Sequence, residues 1–156
     1  MSRLFDKAVN PQNVTVADAT KLQDKHGAAL AVAFWYRQRS NGQSDLGHIV
    51  GKTDSGMTGG WVIRTEDAST QLRFICKRAT VDGIWSIVRP SQGVWHHVAV
   101  VYDGASVLND PIFYVDGLSA AVTEQSIPLG AVLTDVGMGL TIGERAGGAD
   151  TFDGWI

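Results

Sequence analysis

The sequence has very little cysteine and proline and no long apolar run. Its 156 residues include one Cys and four Pro. Cys76 therefore has no partner for an internal disulfide, and metal sites built from several cysteines are excluded. No apolar stretch approaches the roughly 20 residues of a membrane-spanning helix, and the first residues show no secretory signal. We expect no membrane insertion, and we interpret Cys76 as a packed thiol.

An excess of charge of one sign is also lacking. The 13 basic and 16 acidic side chains give a formal net charge of −3 at pH 7, and the two signs are interspersed along the chain. This balance provides no electrostatic basis for binding nucleic acid or an anionic membrane. The localisation is not fixed by these features. In the absence of a signal peptide, an extracellular surface or a virion surface is the expected setting.

Glycine is abundant, with 18 residues, whereas helix-period apolar patterns are nearly absent. Short runs of β-branched and aromatic residues recur instead, separated by glycine-containing turns. Such runs at spacings of roughly 8–12 residues indicate an antiparallel sandwich or barrel. Only residues 16–27 have a composition suited to a turn of helix. We predict strands at residues 28–38, 47–53, 60–66, 71–78, 84–88, 95–103 and 139–144, and a hairpin at 111–122.

Two adjacent histidines lie in the strand-like run WHHVAVVYDG. Successive side chains of a strand point to opposite faces, so His96 and His97 do not converge on one metal ion or substrate. We interpret both as structural, and we expect the His97 ring to be buried and hydrogen-bonded. Trp35 and Trp95 lie in the two strongest predicted strands and are expected in the core.

Four motifs follow one another in a distinctive order: GVWHHVAVVYDG, the hairpin IFYVDG, LTIGERAGG and the terminal FDGWI. Their order and spacing resemble the laminin G-like branch of the concanavalin A-like jelly-roll superfamily. The resemblance covers residues 14–156 and implies an all-β fold, a jelly-roll sandwich of two antiparallel sheets. Residues 1–13 then form an N-terminal lead segment.

The resemblance also raises an expectation about the end of the sandwich. In resembling domains, FDG opens a further long strand that closes the fold beside the N-terminal strand. We therefore expect this chain to lack its closing C-terminal strand. An open sheet edge invites pairing with another chain, so we expect other protein subunits or a neighbouring segment to complete it.

The same superfamily includes glucanases that take their catalytic acids from a Glu-x-Asp-x-x-Glu run on one strand. The present chain has only three glutamates, Glu66, Glu124 and Glu144, and none has a second glutamate nearby. Retaining hydrolysis requires two carboxylates about 5–5.5 Å apart, and Glu66 and Asp67 would point to opposite faces of a strand or lie in a turn. We therefore predict that the protein is not an enzyme.

A binding module is the predicted class, because function on such scaffolds usually resides in rim loops. We predict lectin-like binding of carbohydrate or another cell-surface ligand, with Trp61 and Trp85 as candidates for stacking on a sugar. The alternative is a structural or adhesion component of a larger assembly, such as a decoration, fibre or tail protein of a bacteriophage virion. A large apolar patch and a fixed oligomer would favour that alternative.

Calcium is the cofactor that this fold suggests, since it takes carboxylate and carbonyl oxygens in loops, and laminin G-like domains often carry a rim calcium. The candidate ligands are Asp54 in KTDSGMTGG, and Asp150 and Asp153 in GGADTFDG. The competing interpretation is turn chemistry, because aspartate beside glycine satisfies local backbone groups. The composition of these loops favours the turn interpretation.

Overall fold

Short strands separated by tight turns follow one another along the chain. The computed structural model describes residues 2–9, 12–66 and 70–156. Two 3₁₀ helices, Thr20–Leu22 and Lys25–Gly27, precede the longest strand and lie where a turn of helix was predicted. In these ranges no helix is long and apolar enough to cross a membrane. The strands are β1 (Leu4–Phe5), β2 (Val14–Val16), β3 (Ala29–Gln38), β4 (Leu46–Lys52), β5 (Trp61–Glu66), β6 (Gln71–Cys76), β7 (Gly83–Val88), β8 (His96–Asp103), β9 (Ile112–Val115), β10 (Leu118–Ala120), β11 (Thr123–Ser126), β12 (Leu140–Ile142) and β13 (Gly154–Trp155).

The strands form two antiparallel sheets that enclose one core. The first sheet has the spatial order β1-β13-β3-β8-β9-β10, and the second has the order β11-β7-β6-β5-β4-β12-β2. In the first sheet, β3 and β8 pair without interruption from Ala29↔Asp103 to Tyr36↔His96. The all-β sandwich of antiparallel sheets is therefore confirmed.

The core lies between the inner faces of the two sheets, where alternate residues of each strand meet. On β3, Leu30 and Tyr36 point inward and are buried, whereas Ala31, Ala33 and Trp35 point outward and are exposed. Cys76 of β6 lies in the same core, and burial raises the pKa of its thiol to about 11. A packed, unreactive thiol was the expected state of this residue.

The predicted strands are all present, with ends that shift by at most a few residues. The strands that were not predicted, β1, β2, β11 and β13, are short segments of two to four residues. Leu4 and Phe5 pair with β13, and the Phe5 ring lies in the core. Part of the segment that was interpreted as a lead therefore belongs to the first sheet.

One edge of β3 is only partly covered. β13 pairs with Arg37 and Gln38 alone. From Ala29 to Tyr36, β3 has β8 on one side and no strand of the described ranges on the other. A cavity of about 490 Å³ runs beside this open stretch and is lined by side chains from both sheets, including Val32 and Leu140.

Candidate functional site

Two tryptophans lie at the surface on the outer face of the first sheet. Trp35 of β3 is 59% exposed, and Trp95, just before β8, is 38% exposed. Both were predicted to lie in the core, and both predictions were wrong. The alternation of side chains along β3 explains the exposure of Trp35, because its neighbours Phe34 and Tyr36 occupy inward-facing positions of the strand. Exposed aromatic side chains in a group often mark a binding surface.

Strand register brings these side chains together. Trp35 lies directly opposite His97 across the β3–β8 pair, and their ring centroids are 5.2 Å apart with a 53° angle between the planes. Trp35 and Trp95 both line a cavity of about 480 Å³ at the same surface. We refer to Trp35, Trp95 and His97 as the aromatic patch.

Arg37 lies beside the aromatic patch, two residues after Trp35 on the same face of β3. Its Nε donates a hydrogen bond of 2.8 Å to the carbonyl of Gly93, and its guanidinium carbon is 5.1 Å from the centroid of the Trp155 ring. Within the described ranges, its terminal Nη groups have no hydrogen-bond partner. They therefore supply donors next to the apolar surface.

The two adjacent histidines point to opposite sides of β8, as the alternation predicted. The expectation of a buried, hydrogen-bonded His97 was wrong: its side chain is partly exposed on the outer face, and its ring forms no hydrogen bond within the part of the chain that the structure describes. The His96 ring forms the polar contacts instead, with Nδ1 2.7 Å from an oxygen of Asp116 and Nε2 3.1 Å from the hydroxyl of Ser91. The hydrogen bond from His96 holds the pKa of Asp116 below its usual value.

The two tryptophans that were predicted to stack on a ligand lie in the core. Trp61 is 2% exposed and Trp85 is 0% exposed. Trp85 packs against the rings of Phe74 and Tyr102, at centroid distances of 5.9 and 5.1 Å, and its Nε1 donates a hydrogen bond to Asp110. Both occupy inward-facing positions of their strands, so neither offers a ring face to a ligand at the surface.

The three aspartates that were predicted as calcium ligands each have a partner within the protein. Asp54 accepts hydrogen bonds of 2.7 and 2.6 Å from the backbone N–H and hydroxyl of Thr58. Asp150 forms an ion pair of 2.8 Å with Arg145, and Asp153 accepts a hydrogen bond of 2.5 Å from a serine hydroxyl. The contacts of Asp54 are those of a turn, whereas the serine that bonds Asp153 is Ser40, 113 residues away in the chain. Calcium binding at these loops stays a prediction.

A different polar group, which the sequence analysis missed, lies at one rim of the sandwich. Lys52 ends β4 and is buried, with Nζ 2.8 Å from Asp18 Oδ1 and 2.9 Å from Asp135 Oδ1. The hydrogen bond from Lys52 lowers the pKa of Asp18 to about 2. Asp24 and His26 complete the group, in which the ligand atoms of Asp24, His26 and Asp135 lie within 4.8 Å of one another. We refer to these five residues as the rim cluster.

Comparison with known proteins places the chain in a family. Its sequence matches the laminin G-type family that is described as the concanavalin A-like lectin/glucanases superfamily, over residues 8–156. The chain therefore belongs to this superfamily. A comparison with curated proteins found no match.

Solved structures show the same fold. Domains LG4-5 of the mouse laminin α1 chain superimpose with a TM-score of 0.60 and 14% identity over 97% of this chain, which spans 38% of that laminin chain. CBM40 of the Ruminococcus gnavus IT-sialidase bound to α2,3 sialyllactose gives a TM-score of 0.62 and 13% identity over 100% of this chain and 88% of that one. The same CBM40 bound to α2,6 sialyllactose gives 0.59 and 12%, again over 100% and 88%. These similarities confirm the predicted jelly-roll sandwich.

Proposed function

We propose that this member of the superfamily is a non-catalytic recognition module that binds carbohydrate through the aromatic patch. The observation that carries the proposal is the exposure of Trp35 and Trp95 beside one cavity on an otherwise regular sheet. Large aromatic side chains held at a surface contribute much of the energy of many binding sites. The flat C–H faces of a sugar ring match such a surface.

Polar groups beside the aromatic patch suit the hydroxyl groups of a sugar. The Nη groups of Arg37 donate hydrogen bonds, and they also suit a carboxylate. The CBM40 relative was solved with sialyllactose, a carboxylate-bearing oligosaccharide. An acidic oligosaccharide is therefore a suitable first ligand for a binding assay, next to neutral ones.

The lining of the cavity favours binding over hydrolysis. Its lining residues are Ser2, Phe34, Trp35, Trp95 and Ile156, and they include no carboxylate. Hydrolysis by the two-carboxylate mechanism requires two acidic side chains on either side of the bond to be cleaved. We therefore place recognition, and no reaction, at this surface.

The test is a binding measurement with a matched pair of variants. The intact chain is screened against a panel of neutral and sialylated oligosaccharides, and the best ligand is titrated by calorimetry. We expect Trp35→Ala to weaken binding by at least about tenfold, because the ring would supply the stacking contact. Val101→Ala removes an exposed apolar side chain from the outer face of the same sheet, and it should leave the affinity unchanged.

Two results would contradict the proposal. One is that the parent chain binds a ligand and that Trp35→Ala and Val101→Ala bind it with the same affinity, which would place the ligand elsewhere. The other is the absence of binding to every oligosaccharide of the panel at millimolar concentration.

The open stretch of β3 favours a second candidate, a structural or adhesion component of an assembly such as a virion. Its backbone between Ala29 and Tyr36 has a strand on one side only, and core side chains line the adjacent cavity. Extended segments of other subunits bind such edges by adding a strand. Analytical ultracentrifugation of this chain at high concentration tests the candidate, first alone and then mixed with its neighbours in the assembly. If the chain stays monomeric in both samples, the candidate is wrong.

A further inference from the structure

The orientation of the His26 ring within the rim cluster fixes the position of one of its protons. Nε2 of the ring lies 3.1 Å from the backbone carbonyl oxygen of Leu133. A carbonyl oxygen only accepts hydrogen bonds, so Nε2 must carry the hydrogen. In a neutral imidazole the other nitrogen, Nδ1, then presents a lone pair.

That lone pair faces a carboxylate. Nδ1 of His26 lies 3.3 Å from Oδ2 of Asp135, and both side chains are fully buried. Neither atom has a hydrogen-bond partner in the described part of the chain. Two buried acceptors at this distance repel each other unless a positive species lies between them. That species is either a second proton on the ring or a metal ion.

The geometry around these two atoms suits a metal ion. An ion about 2.1 Å from both Nδ1 and Oδ2 would see them at an angle of about 100°, which is close to the angles of tetrahedral and octahedral sites. The carboxylate of Asp24 is near enough to become a third ligand after a small side-chain shift, since the ligand atoms of the three residues lie within 4.8 Å of one another. Asp24 is exposed, so an ion reaches the group from solvent on that side.

The surroundings hold the three ligands in place. His26 donates its other ring N–H to a backbone carbonyl, as metal-binding histidines usually do. Lys52 donates a hydrogen bond of 2.9 Å to Oδ1 of Asp135, so the other carboxylate oxygen, Oδ2, faces the His26 ring. The carboxylate of Asp24 accepts a hydrogen bond of 2.9 Å from the backbone N–H of Asp135. The backbone N–H of Asp24 donates in return to Asp135 Oδ1, at 2.8 Å.

The local charge also suits a divalent cation. The rim cluster contains three carboxylates, from Asp18, Asp24 and Asp135, and a single ammonium group, from Lys52. Arg78 adds a positive charge near His26, although its guanidinium donates hydrogen bonds away from the rim cluster, to a tyrosine hydroxyl and a backbone carbonyl. Two negative charges remain among the five residues of the rim cluster when His26 is neutral.

We propose that the rim cluster binds a divalent first-row transition metal ion, through His26 Nδ1, Asp135 Oδ2 and the carboxylate of Asp24. One imidazole nitrogen and two carboxylates match zinc, cobalt or manganese, whereas calcium takes oxygen ligands alone. The ion would join the loop of the 3₁₀ helices to the loop before β12. This site uses none of the aromatic patch and none of the three aspartates that were predicted to bind calcium, although Lys52 begins the loop that carries Asp54.

The first experiment measures metal binding by the intact chain. Protein treated with chelator and then desalted is titrated with zinc, cobalt, manganese and calcium, and thermal melting is followed. We expect zinc and cobalt to raise the melting temperature by several degrees, because an ion that binds only the folded state stabilises it. Bound cobalt should also give visible absorption bands. If none of the transition metals shifts the melting temperature at 1 mM, the proposal is wrong.

A matched pair of variants locates the ion. Asp24→Asn keeps an oxygen that accepts the hydrogen bond from Asp135 but removes the anionic ligand, and it should weaken zinc binding at least tenfold. Asp54→Asn is the control, since Asp54 is also an aspartate whose carboxylate accepts hydrogen bonds in a turn. Equal zinc affinities for the two variants would overturn the assignment. Stabilisation by calcium that Asp54→Asn abolishes, with no effect of zinc, would also overturn it and would place the ion at the predicted calcium loop.

Nitrogen-15 NMR of the histidine rings separates the metal ion from the second proton. We expect the metal-free protein at pH 7 to show His26 protonated on Nε2 alone, and zinc to shift the Nδ1 resonance. A ring that is protonated on both nitrogens at pH 7, and that does not respond to zinc, would show that a proton occupies the position instead. Both readouts are independent of carbohydrate binding.

Discussion

Inside the sandwich, Trp61 and Trp85 pack between the two sheets, whereas Trp35 and Trp95 lie on the outer face of the first sheet. The histidines divide in a similar way. His48 is fully buried on β4 and His97 is partly exposed on β8. The same two residue types therefore stabilise the fold in one region and form a surface in the other. Position relative to the sheets decides the role of each ring, and the residue type does not.

The largest expected difference between the interior and outer tryptophans is in their contribution to the free energy of unfolding. Trp85→Ala should lower the free energy of unfolding by about 3–5 kcal/mol, because it leaves a cavity in a packed core. Trp35→Ala should lower it by less than about 1 kcal/mol, since the ring is largely exposed. Urea denaturation of both variants measures the difference. Similar midpoints would show that the outer ring contributes to the fold as much as the inner one.

Burial of His48 should make stability depend on pH. Burial lowers the pKa of His48 from 6.5 to about 4, the largest cause being desolvation. Between these values the unfolded chain binds a proton that the folded chain does not. The free energy of unfolding therefore falls as the pH drops from about 6.5 to about 4, by up to about 3 kcal/mol, and this contribution is fully present above pH 7.

Urea denaturation across this pH range measures that dependence. The parent chain is compared with His48→Gln, which should reduce the dependence because glutamine does not titrate; the pKa of the buried His26 is also lowered, by desolvation, so part of the dependence should remain. An identical slope in the parent chain and in His48→Gln would show that burial of this ring does not couple stability to pH.

The smallest effect is expected from truncating the outer histidine. His97→Ala should change the free energy of unfolding by less than about 1 kcal/mol, because the ring is only partly buried and forms no hydrogen bond within the described ranges. It should nevertheless weaken the proposed carbohydrate binding, since the ring contacts Trp35. Thermal melting and calorimetric titration of one sample measure both effects. A loss of several kcal/mol would show that His97 belongs with the interior rings.

The sequence predicted the strands well but did not predict which face of β3 lies outside. Glycine turns and β-branched runs indicate strands through local chemistry alone. Along ALAVAFWYRQ, however, both faces are apolar: Leu30 and Phe34 alternate with Ala31, Ala33 and Trp35. Alternation of apolar and polar residues, the signal that identifies an inner face, is therefore missing. Without that signal, the exposed position of Trp35 could not be predicted from the strand pattern.

The rim cluster could not be predicted from neighbouring residues in the sequence, for a different physical reason. Asp24 and Asp135 exchange hydrogen bonds although they are 111 residues apart in the chain. No spacing rule joins positions so distant. In the sequence, Lys52 has the context of an ordinary exposed lysine at the end of a strand, although the fold buries it. Only the sandwich brings together the loops that carry them.

The pairing of the first and last strands has a consequence for biosynthesis. β13 lies between β1 and β3 in the first sheet, and Arg3 and Ile156 exchange two backbone hydrogen bonds. A ribosome adds roughly 5–20 residues per second, so β1 emerges on the order of ten seconds or more before the strand that pairs with it. During that interval Phe5, and the edge of β3 at Arg37 and Gln38, lack the strand that pairs with them in the folded chain. An unpaired strand edge is a template for pairing with another chain, so we expect association between nascent chains to increase with their local concentration.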